Sequence, residues 1–483
     1  MSLTTLEYIE IPCYVNPVLG DIGQEPENFD AELLNEEKSV EYGKIENKAV
    51  PSLANESCMP TTTTNYSGSL VSLDEISRSE SIAEQINNVN NNKYLEKCLK
   101  LSNHKRKPES AQEEIQSILA KNYTKNPDGT FEMINKVHLK KQKQVLGFLM
   151  KQFGSNLFLG KPINGVSLPV TIFEPRSILE RQANSFMYAP HFLGLGGQTP
   201  SSLEQFKMVV AYFISSLHTQ INPQKPFNPI LGETFQGMID NCPIYAEQIS
   251  HHPPITAFQM VGENFTIHGN LEFTATISFN TVKSRKVGFL TTTFKNSNSV
   301  IIGQYPSAVM HGTAMGKRTF EFSDKVYLFD IGNKYYAEIN FGSANLHYSK
   351  GKQKHHKDNF SGFIWSINDV FVRKLQENVR TDREITLKFK EKDHAFSKIA
   401  TIEGSWLEYL KIDNRIIWKY GTYWPSKLQY AENALPSDSN YRLDILYLRA
   451  EDEEKSQKAK QNLEEYQRRD RKLRLQMKSK FKK

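Results

Sequence analysis

The stretch Tyr327 to Phe341, YLFDIGNKYYAEINF, sets aromatic and aliphatic residues in alternation on both sides of Gly332-Asn333, the pattern of two half-buried strands joined by a tight turn. The same period of two runs upstream, where Leu271, Phe273, Ala275, Ile277 and Phe279 alternate with polar residues. From about Asn264 to Lys390, Gly- or Asn-centred breaks recur roughly every ten residues, the rhythm of an antiparallel meander or barrel of many strands. Lys350 to Lys357, KGKQKHHK, reads as a solvated hairpin loop within it, with contact to an anionic membrane surface as the alternative.

Outside this block the spacing turns helical. Ser202 to His218 carries Leu203, Phe206, Val209, Val210, Phe213, Ile214 and Leu217 on one broad face behind an N-cap at Ser201 or Ser202, and is expected to be a core helix. Gln144 to Phe158, QVLGFLMKQFGSNLF, gathers Val145, Leu146, Phe148, Leu149, Phe153 and Leu157 opposite Lys151 and Gln152, before Gly160, Pro162 and Gly165 stop it. Periodicity leaves two readings of that helix open, one packed on the core and one mobile or membrane-touching. From about Lys93 to Lys143, helix-favouring pieces such as Ala111–Lys121 alternate with breaks at Lys107-Pro108 and Asn126-Pro127-Asp128-Gly129, so short helices are expected there. The tail from about Asp444 to Lys483 returns to helix with few apolar positions; a solvated helix with a basic end is the default, and such charge also attracts nucleic acid or anionic lipid.

Composition bounds the possibilities. With 483 residues, 39% hydrophobic and 24% charged, the chain is globular, which excludes collagen, coiled-coil rods and disorder throughout. The net charge of +6 is split, since residues 1–92 hold 16 Asp+Glu against 4 Lys+Arg and the remainder is strongly basic. With Thr61–Thr64, the Asn-rich 87–92 and many serines, that first segment is expected to be a disordered acidic tail. No window approaches 18 consecutive apolar residues and no signal peptide is evident, so a cytosolic location is expected. Cys13, Cys58, Cys98 and Cys242 lack CxxC spacing, which argues against disulfides and a thiolate metal site.

Glu247 to Pro254, EQISHHPP, is the segment that carries chemistry. Adjacent histidines on a strand point to opposite faces and have no carboxylate or thiol at ligand spacing, so no metal site is expected. The proline pair ends the strand and can turn both imidazoles to a common rim, where they would suit an anion. In the tail, Lys460, Glu464 and Arg468 are spaced by four and share a helix face; spacing alone favours ordinary surface pairing.

EQISHHPP resembles the EQVSHHPP signature of the oxysterol-binding protein family, with Ile249 in place of Val. KPFNPILGE (Lys225–Glu233) resembles the family's KPxNPxLGE segment, and AKQNLEEYQRR its terminal helix, so three separated motifs stand in the family's order. Further likeness in SLPVTIFEPRSILER (Ser167–Arg181), Gly404-Ser405-Trp406 and LPSDSNYRLD (Leu435–Asp444) extends the resemblance over roughly Gln144 to Lys472. Two positions depart from the pattern: Gln205 stands where the family usually has Arg, and Leu443 where a Pro is common.

The resemblance implies an α+β fold: a large incomplete antiparallel β-barrel around a hydrophobic tunnel, with an N-terminal lid and helices and C-terminal helices. It implies a division into an acidic region (1–92), a short helical approach (93–143) and a lipid-transfer domain (144–483) whose lid spans about 144–166. The lid residues would be Val145, Leu146, Phe148, Leu149 and Phe153. Contacts to the headgroup of phosphatidylinositol 4-phosphate would fall to Lys225, Asn228, His251, His252, Lys460, Glu464 and Arg468. A phosphate monoester of charge near −2 suits that set, and Glu464 can accept from inositol hydroxyls or orient Arg468.

The expected function is non-enzymatic transfer, in which a sterol and the phosphoinositide compete for one tunnel and are exchanged between membranes. No catalytic residue, cofactor or nucleic-acid partner is expected, and attachment to anionic membranes is expected to be peripheral and transient. Alternatives are phosphatidylserine as the second lipid, or a phosphoinositide sensor or scaffold; a His-dependent enzyme would need a nucleophile or metal constellation that the spacing lacks. Glu27 to Ala31 bears a likeness to the FFAT motif bound by VAP-type receptors, with Asn28 where that motif has its aromatic residue.

Overall fold

The computed structural model describes residues 111–154, 167–342, 344–345, 356–373 and 396–481. The expected acidic tail, the FFAT-like segment, residues 93–110, Leu157, the rest of the lid to 166 and most of the Lys350–Lys357 run lie outside the described residues. The first elements are α1 (Ala111–Asn122), β1 (Tyr123–Lys125), β2 (Phe131–Met133) and α2 (Lys136–Phe153). The helix expected at Ala111–Lys121 is α1 and the break expected at Asn126–Gly129 is present, but the break joins two short strands where short helices were expected. Asn126-Pro127-Asp128-Gly129 turns the hairpin, because the Asp128 carboxylate accepts from Thr130 N and Oγ1 at 3.0 and 2.8 Å and Gly129 N donates to Asn126 O.

Then come β3 (Phe173–Ser177), α3 (Ile178–Ala183), α4 (Ala189–Gln198), α5 (Ser202–Ser215) and β4 (Lys225–Phe227), with β3 and β4 paired in parallel. The α5 helix is capped by Ser201, whose side chain accepts from Glu204 N. The main strands are β5 (Thr234–Ile239), β6 (Cys242–His251), β7 (Pro254–Val261), β8 (Phe265–Ser278), β9 (Thr281–Phe294), β10 (Val300–Gly303) and β11 (Ser307–His311). They continue as β12 (Thr319–Asp330), β13 (Tyr335–Phe341), β14 (Asn359–Ile367), β15 (Phe396–Ser405), β16 (Tyr409–Ile412), β17 (Arg415–Lys419) and β18 (Leu428–Tyr430), before α6 (Leu443–Arg449) and α7 (Glu453–Phe481).

With β1 and β2 these strands form one sixteen-stranded antiparallel sheet whose neighbours largely follow chain order, while β18 returns to pair with β5. The edges β17 and β18 are not paired with each other among the described residues, so the barrel is incomplete. Helices fill the gap: α3 packs on β5 and β6, and α5 packs on β16 and β17. The main core includes Phe206, Phe213, Leu271, Trp406 and Trp418.

The alternation of apolar and polar residues has a physical outcome in the β12–β13 hairpin and along β8. At the β12–β13 hairpin, Asp330 pairs with Tyr335 and its carboxylate accepts from Asn333 N at 3.0 Å and Nδ2 at 2.8 Å. Along β8, Leu271 enters the main core, whereas Ile277 joins a second apolar cluster with Val145, Leu149, Leu168, Val170, Phe173, Phe227 and Ile445. Phe279 leaves the alternation: it sits in the β8–β9 turn and is exposed.

Candidate functional site

The second cluster is the floor of the site. Phe173 of β3 and Phe227 of β4 meet at 4.8 Å between ring centroids, and cations gather above them. Lys225 Nζ stands 4.9 Å and Lys460 Nζ 5.6 Å from the Phe173 ring, and Arg442 lies 5.6 Å over Phe227. Lys225 donates to Asn228 Oδ1 at 2.5 Å and to Pro226 O at 3.1 Å. Burial, with the charges of Lys460 and Arg442 beside it, pushes the Lys225 amine down to about 7.

The KPFNPILGE loop holds its shape through buried charges. Arg442 Nη1 donates to Asn228 O at 2.8 Å and to Glu233 Oε2 at 2.8 Å, while its Nε and Nη2 bind Asp444 at 3.1 and 2.6 Å. Glu233 also accepts from Ser177 Oγ at 2.5 Å and Ile230 N at 3.0 Å, and burial raises its pKa against the pull of Arg442. Gly232 takes φ +79°, a left-handed turn that favours glycine. Leu443 begins α6 where the family pattern has Pro; the helix still starts there, and Asp444 serves Arg442.

EQISHHPP is fastened to that loop. Gly232 N donates to Gln248 O and Gln248 N to Glu233 O, each at 2.9 Å. Register slips between Gln248 and Ser250, so Ile249 is an inserted residue and the strand end is re-aimed. The Gln248 side chain braces the bulge, donating to Ser250 O at 2.6 Å and accepting from Thr256 Oγ1 at 2.7 Å. Beyond it the His251 and His252 rings lie 4.7 Å apart at 79°, brought to one rim rather than to opposite faces of a strand. Burial, with His252 beside it, lowers His251 to about 4, and burial also lowers His252, so both imidazoles are neutral near pH 7.

The tail helix docks through polar groups. Along α7, Ser456, Lys460 and Gln467 are buried at helical spacing. Ser456 Oγ donates to Asp444 O at 2.8 Å, Gln457 Oε1 accepts from Val170 N at 2.9 Å, and Gln467 Oε1 accepts from Leu231 N at 2.9 Å. Lys460 pairs with Glu464 and donates to Ser167 Oγ at 3.0 Å. Of the seven headgroup residues expected, Lys225, Asn228, Lys460 and Glu464 are linked directly or across Phe173, and the charges of Glu464 and Arg474 both act on His251. Arg468 is exposed and has no ion-pair or hydrogen-bond partner among the described residues. Sequence reasoning missed Arg442, Gln467 and Arg474; the first had a trace in YRLD, next to an Asp and within a quoted motif.

The expected lid helix starts eight residues before Gln144 and stops at Phe153 rather than Phe158. Asn135 caps it by accepting from Val137 N and His138 N, and Gly154 ends it at φ +58°. Val145 and Leu149 are buried in the second cluster and Leu146 packs beside them, whereas Phe148 is 48% exposed. The side chain of Phe153 lies outside the described residues. Gln142 Nε2 donates to Pro223 O at 2.8 Å and Lys141 pairs with Glu453 at 3.1 Å, so α2 is clasped between the β3–β4 region and α7.

A sixteen-stranded incomplete barrel with a basic, histidine-bearing rim defines a fold class that comparison with known proteins makes specific. The family model described as Oxysterol-binding protein matches residues 149–483, and the chain belongs to that family. Oxysterol-binding protein 9 of Dictyostelium discoideum is 29% identical over 367 residues, which is 74% of this chain and 82% of the relative. Oxysterol-binding protein-related protein 5 of Homo sapiens is 28% identical over 229 residues, 44% of this chain and only 26% of that protein. Among solved structures, the Osh3 ORD in complex with PI(4)P from Saccharomyces cerevisiae matches with TM-score 0.51 and 22% identity, covering 68% of this chain and 84% of that one. The Osh1 ORD domain in complex with cholesterol matches with TM-score 0.52 and 18% identity, covering 69% and 80%. At these identities the structural likeness is one of fold. Among the described residues no helix is long and apolar enough to cross a membrane.

Proposed function

We propose that the chain carries lipid between membranes without chemistry on it, taking a sterol or phosphatidylinositol 4-phosphate in turn into one barrel interior. The observation that carries this reading is the gathering of Lys225, Lys460 and the paired histidines over the Phe173–Phe227 floor, at the place where three family motifs meet. An apolar floor beside desolvated cations suits a lipid whose phosphate is held at the rim while its chains leave water. Relatives of the fold solved with PI(4)P and with cholesterol support the pairing of ligands.

In this reading Lys225, Lys460, His251, His252 and Arg468 hold the phosphate, Asn228 and Glu464 meet inositol hydroxyls, and α2 covers the entrance. The protein works at the cytosolic face of membranes with transient, charge-assisted attachment. Each ligand displaces the other, so a phosphoinositide gradient drives sterol the opposite way.

The test is transfer of a fluorescent sterol between vesicles, with and without phosphatidylinositol 4-phosphate in the acceptor, for the wild type and His251→Ala/His252→Ala. Acceleration by the phosphoinositide that the double variant loses supports exchange. Phosphoinositide binding without sterol transfer sinks the sterol assignment and leaves phosphatidylserine transfer or lipid sensing as the account.

A further inference from the structure

Lys286 projects from β9 into the main core. Its Nζ donates to Gln182 Oε1 at 2.8 Å and to Gln220 Oε1 at 2.6 Å, and stands 4.7 Å from the Tyr305 ring and 5.7 Å from that of Phe273. Both rings pack on the main apolar cluster, and Lys286 lies within β9, five residues after Thr281 and eight before Phe294. Burial, with the charge of Arg181 added, pushes this amine down to about 7. Lys286 nevertheless keeps part of its surface accessible.

Arg181, beside Gln182 on α3, is an independent observation. It is 8% exposed, and its Nε stands 3.5 Å from Glu174 Oε1, but Nη1 and Nη2 have no hydrogen-bond partner among the described residues. Buried N–H groups of a guanidinium without an acceptor cost free energy. Its charge acts on Lys286 and on the Tyr123 hydroxyl, which is also buried without a partner among the described residues. Arg176 and Arg181 face the carboxylates of Glu174 and Glu114, and Arg449 pairs with Glu180, whereas Lys286 has no carboxylate partner among the described residues, which leaves one cation in this group without a counter-charge.

An ammonium has three N–H groups, and two of those on Lys286 go to glutamine oxygens. A hydrocarbon end arriving here would leave the third no acceptor beyond the ring faces of Tyr305 and Phe273, and a neutral hydroxyl would leave the cation without a counter-charge. A carboxylate would answer both, with two oxygens and about four lone-pair sites.

We infer that the inner end of the barrel receives the tip of a lipid bearing an ionised carboxylate, with Lys286 as its ion-pair partner and Arg181 as the second cation. This rests on the reading of the barrel interior as the lipid site, and it sets an acid-tipped lipid above a hydroxyl-tipped sterol as the better-held second ligand.

The test is displacement of a pre-loaded fluorescent sterol from the full chain by cholesterol or by cholestene-3β-carboxylate, which carries a carboxylate at the same end of the same ring system. The carboxylate is expected to act at a concentration about tenfold lower at pH 7. That ratio should shrink toward one as pH rises toward 10, because Lys286 loses its charge while Arg181 keeps its own; of the other groups around the amine, Gln182 and Gln220 do not titrate and Tyr305 is held protonated by burial. Lys286→Gln should bring the ratio within about twofold at pH 7, and if that variant does not fold the pH series on the wild type decides. Equal or better displacement by cholesterol overturns the inference alone, as does a ratio that neither pH nor Lys286→Gln moves. If no sterol loads, extraction of the carboxylate from vesicles decides: uptake supports the inference, and failure beside intact phosphoinositide binding overturns it together with the sterol half of the proposed function.

Discussion

Arg442 and Glu233, 209 residues apart in the chain, meet at 2.8 Å, and the same guanidinium binds Asp444 on its other side. One cation between two buried carboxylates ties the KPFNPILGE loop to α6, and therefore to the helix that brings Lys460 to the site. Such a cluster costs much desolvation to build, so its worth shows when one member is removed and the others stay.

Arg442→Met should therefore lose about 3–5 kcal/mol of folding stability, because Glu233 and Asp444 would be left buried without a counter-charge. Denaturant unfolding checks this. A loss under about 1 kcal/mol would mean that the carboxylates find water or protons easily.

Headgroup binding should take up protons. In the free protein Lys225 stands near 7 and His251 near 4, both lowered by burial, so near pH 7.5 the amine is largely neutral and the imidazole wholly so. A phosphate near −2 raises both values, and by linkage affinity then climbs as pH falls. From about pH 9 to 7 the gain comes from Lys225; below about 6.5 that of His251 is opposed by protonation of the phosphate itself. Calorimetry of phosphatidylinositol 4-phosphate binding at pH 7.5 in buffers of unlike ionisation enthalpy should register net uptake, reduced in Lys225→Gln. Zero uptake or release would remove Lys225 from the site.

Gln205 departs from the family pattern, and the structure gives it a full set of partners. Its Nε2 donates to Thr199 O and Asn296 Oδ1, at 3.1 and 3.3 Å, and its Oε1 accepts from Ser297 Oγ and Ser299 Oγ at 2.8 and 2.7 Å. Gln205→Ala should cost about 1–3 kcal/mol, since Ser299 would keep a buried hydroxyl with a poorer acceptor. Thermal unfolding against a Lys207→Ala control on the same helix measures it, and equal midpoints for the two would refute the network's worth.

What the sequence disclosed follows from how each element is stabilised. The β12–β13 hairpin and α5 bury apolar side chains at regular spacing, so Tyr327–Phe341 and Leu203–Leu217 announce themselves. The α7 interface is polar, made by Ser456, Gln457, Lys460 and Gln467, and leaves no apolar period to read; only the family resemblance singled out Lys460 and Glu464. Arg442 was illegible because its partner Glu233 lies far away in sequence, and Lys286 because in TVKSRKVGFL it looks like any outward lysine of a half-solvated strand. The start of α2 was hidden by a lysine-rich first turn, where the Asn135 cap was the available signal.

The clasp on α2 separates two kinds of apolar residue on one helix. Leu149 is buried against Phe173, Phe227 and Ile277, while Phe148, one position earlier, is half exposed. Leu149→Asp should undock the helix, since losing the buried leucine alone costs about 2–5 kcal/mol and the carboxylate adds its own desolvation. Proteolysis within α2 and escape of loaded lipid to acceptor vesicles should both speed up. Phe148→Asp should leave proteolysis unchanged and instead weaken attachment to anionic vesicles, because it removes exposed apolar surface flanked by Lys151 and adds negative charge. If both variants speed proteolysis alike, Phe148 also holds the helix down; if neither does, the buried contacts of Val145 and Leu149 are not what keeps α2 in place.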